Sequence, residues 1–124
     1  MEFKNWLSDD KLSLRFIAST PQELSRGLMH QDPLKSNEGA LFVYPKPVDG
    51  RFWNKNVSFP IDVGFFDEDK RLIDVRRLEA GQEEAVGSSK PFQFVLEAPE
   101  GYFRNKNGTL DQFIHPHFSS SSSV

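Results

Sequence analysis

The sequence contains no cysteine and only three histidines. The absence of cysteine excludes disulfides, thiolate catalysis and cysteine-ligated zinc for this chain. His115 and His117, with Asp111 nearby, supply too few ligands for a metal site. We therefore predict no metal site and no cofactor.

Basic residues are neither in excess nor clustered. The chain has 15 Lys and Arg against 18 Asp and Glu, a net charge of -3, and no basic stripe that would neutralise phosphates. No apolar segment approaches the roughly 18 residues that would indicate a bilayer span, and the N-terminus has no apolar signal-peptide core. We predict a cytoplasmic protein that binds neither nucleic acid nor membrane.

Phenylalanine is abundant, with 12 among 124 residues in a 14.2 kDa chain. This length fits one hydrophobic core, and we expect that core to be built largely from phenyl rings. The last six residues, SSSSSV, are of low complexity. We therefore predict a single domain over residues 1–118 and a serine-rich tail over residues 119–124.

The local patterns predict a mostly β fold with six or seven strands. Leu12, Leu14 and Phe16 alternate with polar residues, which indicates a half-buried strand with these three on one face. Thr20 and Glu23 form a capping box that predicts a short helix to about residue 29. Six further strands are expected at residues 40–45, 60–66, 71–78, 92–96, 102–106 and 109–115, and residues 51–56 are expected to be strand-like.

The connections between these strands follow from turn residues and polar segments. Acidic residues 67–69 predict a hairpin turn, and Asn107 with Gly108 predicts another between the last two strands. Residues 80–90 are predicted to form a long exposed loop. In the strand that follows, Phe92, Phe94 and Leu96 are expected on one face. The expected architecture is a β-sandwich or a distorted barrel with one short helix.

Three segments carry a family resemblance: GLMHQDPLKSNEGALFVYP from Gly27, FWNKNVSFPIDVGFFDED from Phe52 and PFQFVLEAPEGY from Pro91. Taken in order, they resemble the DUF192 family, also called UPF0127, whose activity is unknown. The resemblance implies a mostly β domain with one small helix. It agrees with the strand pattern but implies no reaction.

The sequence departs from the family pattern at several positions. Ala40 and Asn54 stand where methionines are usual, and Lys70 replaces the usual hairpin glycine. After Phe103 the expected ending is absent. These departures suggest a specialised or phage branch of the family, in which case the protein would be virion-associated.

The candidate site residues are Trp53, Lys55, Asn56, Asp62 and Glu97. In an extended segment, Trp53 and Lys55 share a face and present an aromatic ring and an ammonium to an anionic or carbonyl-bearing ligand. Asp62 or Glu97 would orient the ammonium. The alternative is structural: Trp53 lies in the core, and Lys55 pairs with Asp62.

Two functions are compatible with these residues. The first is a non-enzymatic binding or assembly module that contacts a protein partner or its own copies, because no nucleophile with its base and no phosphate-binding loop is present. The alternative is a small enzyme or small-molecule binder that uses Lys55, Asp62 and Glu97 together. In that alternative Asp62 and Glu97 would divide the roles of acid and base.

Overall fold

The computed structural model of this protein describes residues 10–115, which form a mostly β fold with one short α-helix. The elements in chain order are β1 Ser13–Ala18, α1 Pro21–Arg26, β2 Glu38–Val48, β3 Arg51–Phe52, β4 Ile61–Phe66, β5 Leu72–Leu78, β6 Val86–Gly87, β7 Phe92–Pro99 and a 3-10 helix Leu110–Gln112. The predicted fold class is confirmed.

Five strands form an open sheet in the order β1-β2-β7-β4-β5, and β3 pairs with β6 in a separate two-stranded ribbon. β1 runs parallel to β2, whereas the other neighbouring strands are antiparallel. Every residue of β4 is buried, so the middle of the large sheet is covered on both faces.

Each face of the large sheet carries its own hydrophobic cluster. One face packs Phe42, Phe65 and Phe92 with Phe52 of the ribbon and Leu28 beyond α1. The other face packs Leu12, Leu14, Phe66 and Leu96 with aromatic residues of the C-terminal segment, Phe103 and Phe113. We call these the helix face and the C-terminal face. The described residues thus form two sheets and no closed barrel, which agrees with the sandwich expectation.

The capping box that begins α1 is present as predicted. The Glu23 amide donates to Thr20 Oγ1, and the Glu23 carboxylate accepts from the Thr20 amide. The helix ends at Arg26, earlier than the predicted residue 29, because Gly27 adopts φ +52° and its amide bonds to the Glu23 carbonyl. The short helix places residues 27–29 as irregular backbone over the sheet.

The alternation prediction was wrong for Phe16, which packs on the helix face while Leu12 and Leu14 pack on the C-terminal face. A bulge between Leu14 and Phe16 adds one residue to β1 and reverses the facing of the positions that follow. The extra residue, Arg15, bonds through its guanidinium to Glu38 and to the Asp32 carbonyl.

A second break in alternation separates Phe92, on the helix face, from Phe94 and Leu96 on the C-terminal face. The β2–β7 pairing skips from Val43 to Val48, across residues 44–47. Two of the skipped residues are prolines, which have no amide to donate to a ladder. β2 nevertheless continues past them to residue 48, beyond its predicted end.

The predicted hairpin around Asn107 and Gly108 is wrong. Residues 101–105 are turns, and the segment that follows forms the 3-10 helix. Its backbone bonds elsewhere: the Leu72 amide donates to the Gly108 carbonyl, the Leu110 amide to the Lys70 carbonyl, and the Leu12 amide to the Phe113 carbonyl. The segment is therefore a cover over the C-terminal face rather than a pair of strands.

Two further expectations concern the loops. The β4–β5 hairpin is confirmed, and Lys70 adopts φ +66° in its turn, at the position where the family usually has glycine. Residues 80–90 are not one loop, since they contain β6, and the Gln82 carbonyl accepts from the Asn54 amide. That contact holds the chain after β3 in place.

Some expectations concern residues outside the described range. The serine-rich tail and the domain boundary at residue 118 lie beyond residue 115 and stay predictions. Within residues 10–115, no helix is long and apolar enough to cross a membrane.

Candidate ligand cavity

A cavity of about 370 Å³ opens on the helix face of the large sheet. Its floor is formed by side chains of β2 and β7, and its walls by residues 24–29 on one side and by residues 51–54 on the other. Four aromatic side chains line it: Phe42, Tyr44, Phe52 and Trp53. The volume lies in the lower part of the range of small-molecule sites in proteins.

Glu97 supplies the only acidic side chain among the lining residues. It lies in β7 opposite Ala40 of β2 and Val63 of β4, at the centre of the large sheet, and is 4% exposed. Within the described residues its carboxyl group makes no hydrogen bond, whereas every fully enclosed side-chain nitrogen or oxygen atom has a partner. The carboxyl group therefore opens onto the cavity.

Burial raises the pKa of Glu97 to about 8 from an ordinary 4.5, because the carboxylate form loses its hydration. Among the described residues, no cation and no hydrogen-bond donor offsets this cost. At neutral pH the carboxyl group is therefore mostly protonated and able to donate a hydrogen bond. A buried and unsatisfied acid in a cavity is typical of functional sites rather than of packed cores.

The other titratable or charged groups that line the cavity are one tyrosine and two arginines. Burial, and secondarily the charge of Glu97, raises the pKa of Tyr44 to about 12, so its phenol stays neutral. Arg26 and Arg51 also line the cavity, and both are exposed, which places them at its mouth. Arg51 donates to the Ala85 carbonyl at 3.3 Å.

Trp53 lies at the same mouth with 43% of its surface exposed, so the prediction that it belongs to the core is not met. The Lys55 Nζ atom lies 5.4 Å from the centroid of the Trp53 ring, the juxtaposition expected of an aromatic platform and an ammonium. A turn at residues 55–56, rather than a strand, brings them together. Lys55 and Asn56 line a shallow neighbouring groove instead of the cavity.

Asn54, which lies between Trp53 and Lys55 in the sequence, is 1% exposed and holds the cavity wall in place. Its Nδ2 atom donates to the carbonyls of Phe59 and Glu79, each at 3.0 Å. The sequence showed Asn54 only as a departure from the family's methionine. These two hydrogen bonds explain why asparagine occupies this position, because both carbonyls would otherwise lack this donor.

Replacing Asn54 by alanine is expected to lower the free energy of unfolding by about 2 kcal/mol, since two carbonyls lose a donor in a dry site. Urea denaturation measures the change. Asn37→Ala removes an exposed asparagine side chain and serves as the control, with an expected change below about 0.5 kcal/mol. Equal effects of the two substitutions would contradict the structural role.

Asp62 does not belong to the cavity, although it lies in β4 beside the strand that carries Glu97. Asp62 pairs with Ala98, and Val63 pairs with Glu97, so the two carboxylates occupy successive register positions and point to opposite faces of the sheet. Asp62 accepts from the Arg77 guanidinium and from the Gly101 amide. It ties β5 and the turn after β7 to the sheet.

The cluster of Lys55, Asp62 and Glu97 that the sequence suggested is therefore not assembled. Asp62 and Glu97 lie on opposite faces and cannot act as an acid and base on one ligand. The alternative pairing of Lys55 with Asp62 is also wrong, because Asp62 bonds to Arg77. Of the five candidate residues, the structure brings Trp53 and Glu97 into one cavity.

Sequence reasoning missed Tyr44, Arg26 and Arg51, which line the same cavity. Tyr44 lay within the strand expected at residues 40–45, and the two arginines are isolated basic residues. Only the path of the chain over the sheet brings them near Glu97. Within residues 10–115 no group of three or more His, Asp or Glu side chains is placed to hold a metal ion, and His117 lies outside that range.

Residues 7–112 match the DUF192 family model, which is described as "Uncharacterized ACR". A crystal structure of a protein of unknown function from Novosphingobium aromaticivorans DSM 12444 is similar, with a TM-score of 0.71, 28% identity, and coverage of 77% of this chain and 71% of that chain. A candidate transcription regulator from Sinorhizobium meliloti 1021 has a TM-score of 0.67, 25% identity, and coverage of 70% and 68%. No curated protein matches the sequence.

Proposed function

This chain belongs to the DUF192 family, and we propose from its cavity that it is a non-enzymatic binding domain for a small organic molecule. The observation that carries the proposal is the Glu97 carboxyl group, which is buried, lacks a hydrogen-bond partner among the described residues and opens onto an aromatic cavity. A ligand that bonds to this group would remove the cost of leaving it unpaired.

The walls of the cavity support the same proposal. Phe42 and Phe52 contact each other edge to face, with ring centroids 5.6 Å apart, and both belong to the hydrophobic cluster of the helix face. Trp53 adds an exposed ring at the mouth. Rigid apolar walls around one polar group are typical of sites that bind the body of a ligand by contact and orient its head by a hydrogen bond.

A fragment screen by protein-observed NMR, in which the backbone amide signals are followed, tests this function. Fragments that bind are expected to perturb the backbone amides of residues 52–54 and 96–98. Trp53→Ala should weaken their binding about fivefold, because the ring at the mouth is lost. Val75→Ala removes an exposed apolar side chain on β5, away from the cavity, and should leave binding unchanged. Absence of hits at millimolar concentration, or hits that map elsewhere, would contradict the proposal.

The other functional expectations stay predictions. The protein partner, self-assembly, the phage branch and virion association were suggested partly by the altered C-terminus and the serine tail, and residues 116–124 lie outside the described range. Size-exclusion chromatography with light scattering on the full chain tests self-assembly. The structure separates Asp62 from Glu97, so Lys55, Asp62 and Glu97 do not form the shared enzyme site that the sequence suggested.

A further inference from the structure

The chemistry of the cavity also points to a class of ligand, and this step rests on the proposed function. We infer that the cavity over Glu97 selects an organic cation, a small molecule with a protonated amine at one end and an apolar body. In this arrangement the ammonium group contacts the Glu97 carboxylate at the floor, and the body lies between the aromatic walls. Simple amines have this chemistry and serve as probes.

The cavity floor holds an acid without a counter-charge. Glu97 is the single acidic lining residue, and no lysine, arginine or histidine of the described residues bonds to it. Two other acids among the described residues are paired with arginines: Asp62 with Arg77, and Glu38 with Arg15. Glu97 differs because residues 10–115 supply it with no cation, and the ammonium group of a ligand would do so.

The cavity that contains this acid is rich in aromatic rings. Phe42, Tyr44, Phe52 and Trp53 line the cavity that contains the carboxyl group. The faces of aromatic rings attract cations, and several rings combined with one carboxylate form the kind of cage that binds organic ammonium groups. A carboxylate ligand would instead be repelled at the floor whenever Glu97 is ionised.

The arginines at the mouth do not reverse this selection. Arg26 and Arg51 are exposed, so water and salt screen their charges, whereas Glu97 lies at the dry end of the cavity. The part of a ligand that reaches the floor meets the acid and not the guanidinium groups. The arginines fit a polar or anionic tail that remains at the mouth.

A proton is linked to cation binding. Ammonium binding favours the ionised form of Glu97, so below about pH 8 each bound amine should release one proton. The charged and titratable groups of the elements packed over the cavity are Tyr44 of β2, Arg26 of α1 and Arg51 of β3. Burial raises the pKa of Tyr44 to about 12, so its phenol stays neutral between pH 6 and pH 8. Amine affinity is therefore expected to rise with pH until Glu97 is fully ionised.

Three matched probes test the inference: 2-phenylethylamine as the cation, 3-phenylpropanamide as the neutral analogue and 3-phenylpropionate as the anion. Dissociation constants are measured by NMR titration at pH 6, 7 and 8 with the full chain. We expect the amine to bind most tightly and its Kd to fall by nearly tenfold per pH unit between pH 6 and pH 7. Calorimetry in two buffers of different ionisation enthalpy should show about one proton released per amine bound at pH 6.

Glu97→Gln should remove both the amine preference and the pH dependence, while Glu84→Gln, at an exposed position, should change neither. Tighter binding of the amide or of the propionate at all three pH values would overturn the cation assignment and leave the small-molecule function standing. Binding of none of the three probes would also overturn it, and the fragment screen would then decide the proposed function separately. An amine affinity independent of pH, or unchanged in Glu97→Gln, would show that the amine does not contact Glu97.

Discussion

Replacing Gly64 by alanine is expected to lower the free energy of unfolding by about 3 kcal/mol, at the upper end of the usual cost of overpacking a core. Gly64 lies in the middle of β4, and a Cβ atom there would approach the Phe103 ring to 2.4 Å at Cζ, with two further ring atoms below 3.0 Å. Phe103 is itself held between Tyr102 and Phe113, so its ring has little room to move. Chemical denaturation with two-state analysis measures the loss.

Gly50→Ala is the matched control, because a Cβ atom at Gly50 would meet only one ring atom, at an ordinary 3.6 Å. Its expected effect is below about 0.5 kcal/mol. Phe103→Leu combined with Gly64→Ala should cost less than the sum of the two single substitutions, since the smaller side chain relieves the clash. If the losses of unfolding free energy for the two substitutions are additive, or if Gly64→Ala causes no loss, the C-terminal segment does not pack against β4 at this position.

Glu97 is expected to make the protein less stable as the pH rises from about 4.5 to about 8. The pKa of this carboxyl group is about 8 in the folded protein against an ordinary 4.5 in the unfolded chain, so the folded state holds the proton more tightly than the unfolded state. Stability is then greatest below pH 4.5 as far as this group is concerned, falls through the interval, and levels off above pH 8. The loss is on the order of 5 kcal/mol.

Glu97→Gln removes this titration, and the comparison of the two proteins isolates it from the other acids. The variant should be more stable than the wild type at pH 8 by several kcal/mol, and the difference should shrink towards zero or reverse at pH 5. Thermal or urea unfolding at a series of pH values gives the two curves. Parallel curves for wild type and Glu97→Gln would mean that the carboxyl group is hydrated in the folded protein. Glu84→Gln should give a curve parallel to the wild type.

The two faces of the large sheet thus differ in their tolerance of change. The C-terminal face is closed by aromatic contacts at Gly64, whereas the helix face carries Glu97, which has no partner among residues 10–115, in an open cavity. An unsatisfied group that lowers stability is commonly found where a protein binds something. The proposed binding site therefore lies on the helix face, where a buried acid has no hydrogen-bond partner among the described residues.

Local chemistry made several features of the fold predictable. The side chains of Thr20 and Glu23 each accept a hydrogen bond from the backbone amide of the other residue. In the acidic turn after β4, the Asp67 side chain accepts from a backbone amide of the same turn. Such signals depend on neighbours in the chain and need no tertiary information. The family segments added the expectation of one small helix on a β domain, and both the fold class and the family are confirmed.

The errors arose where distant residues decide the local structure. The bulge at Arg15 reverses the facing of Phe16. The facing of β7 also changes between Phe92 and Phe94, where its pairing with β2 is irregular, and a strict period of two anticipates neither break. The turn expected at Asn107 was displaced because β5 and residue 12 take up the backbone hydrogen bonds of that segment. Pairing energy with a distant strand exceeds the preference of a turn dipeptide.

The sequence by itself determined the class of the fold, its family, the helix start, the first hairpin and the residue types available for a site. Tertiary structure alone decided that Trp53 and Glu97 share a cavity and that Asp62 lies on the far side of the sheet. The physical reason is the pleat: one step in strand register moves a side chain to the opposite face, and register is set by pairing between segments far apart in the chain.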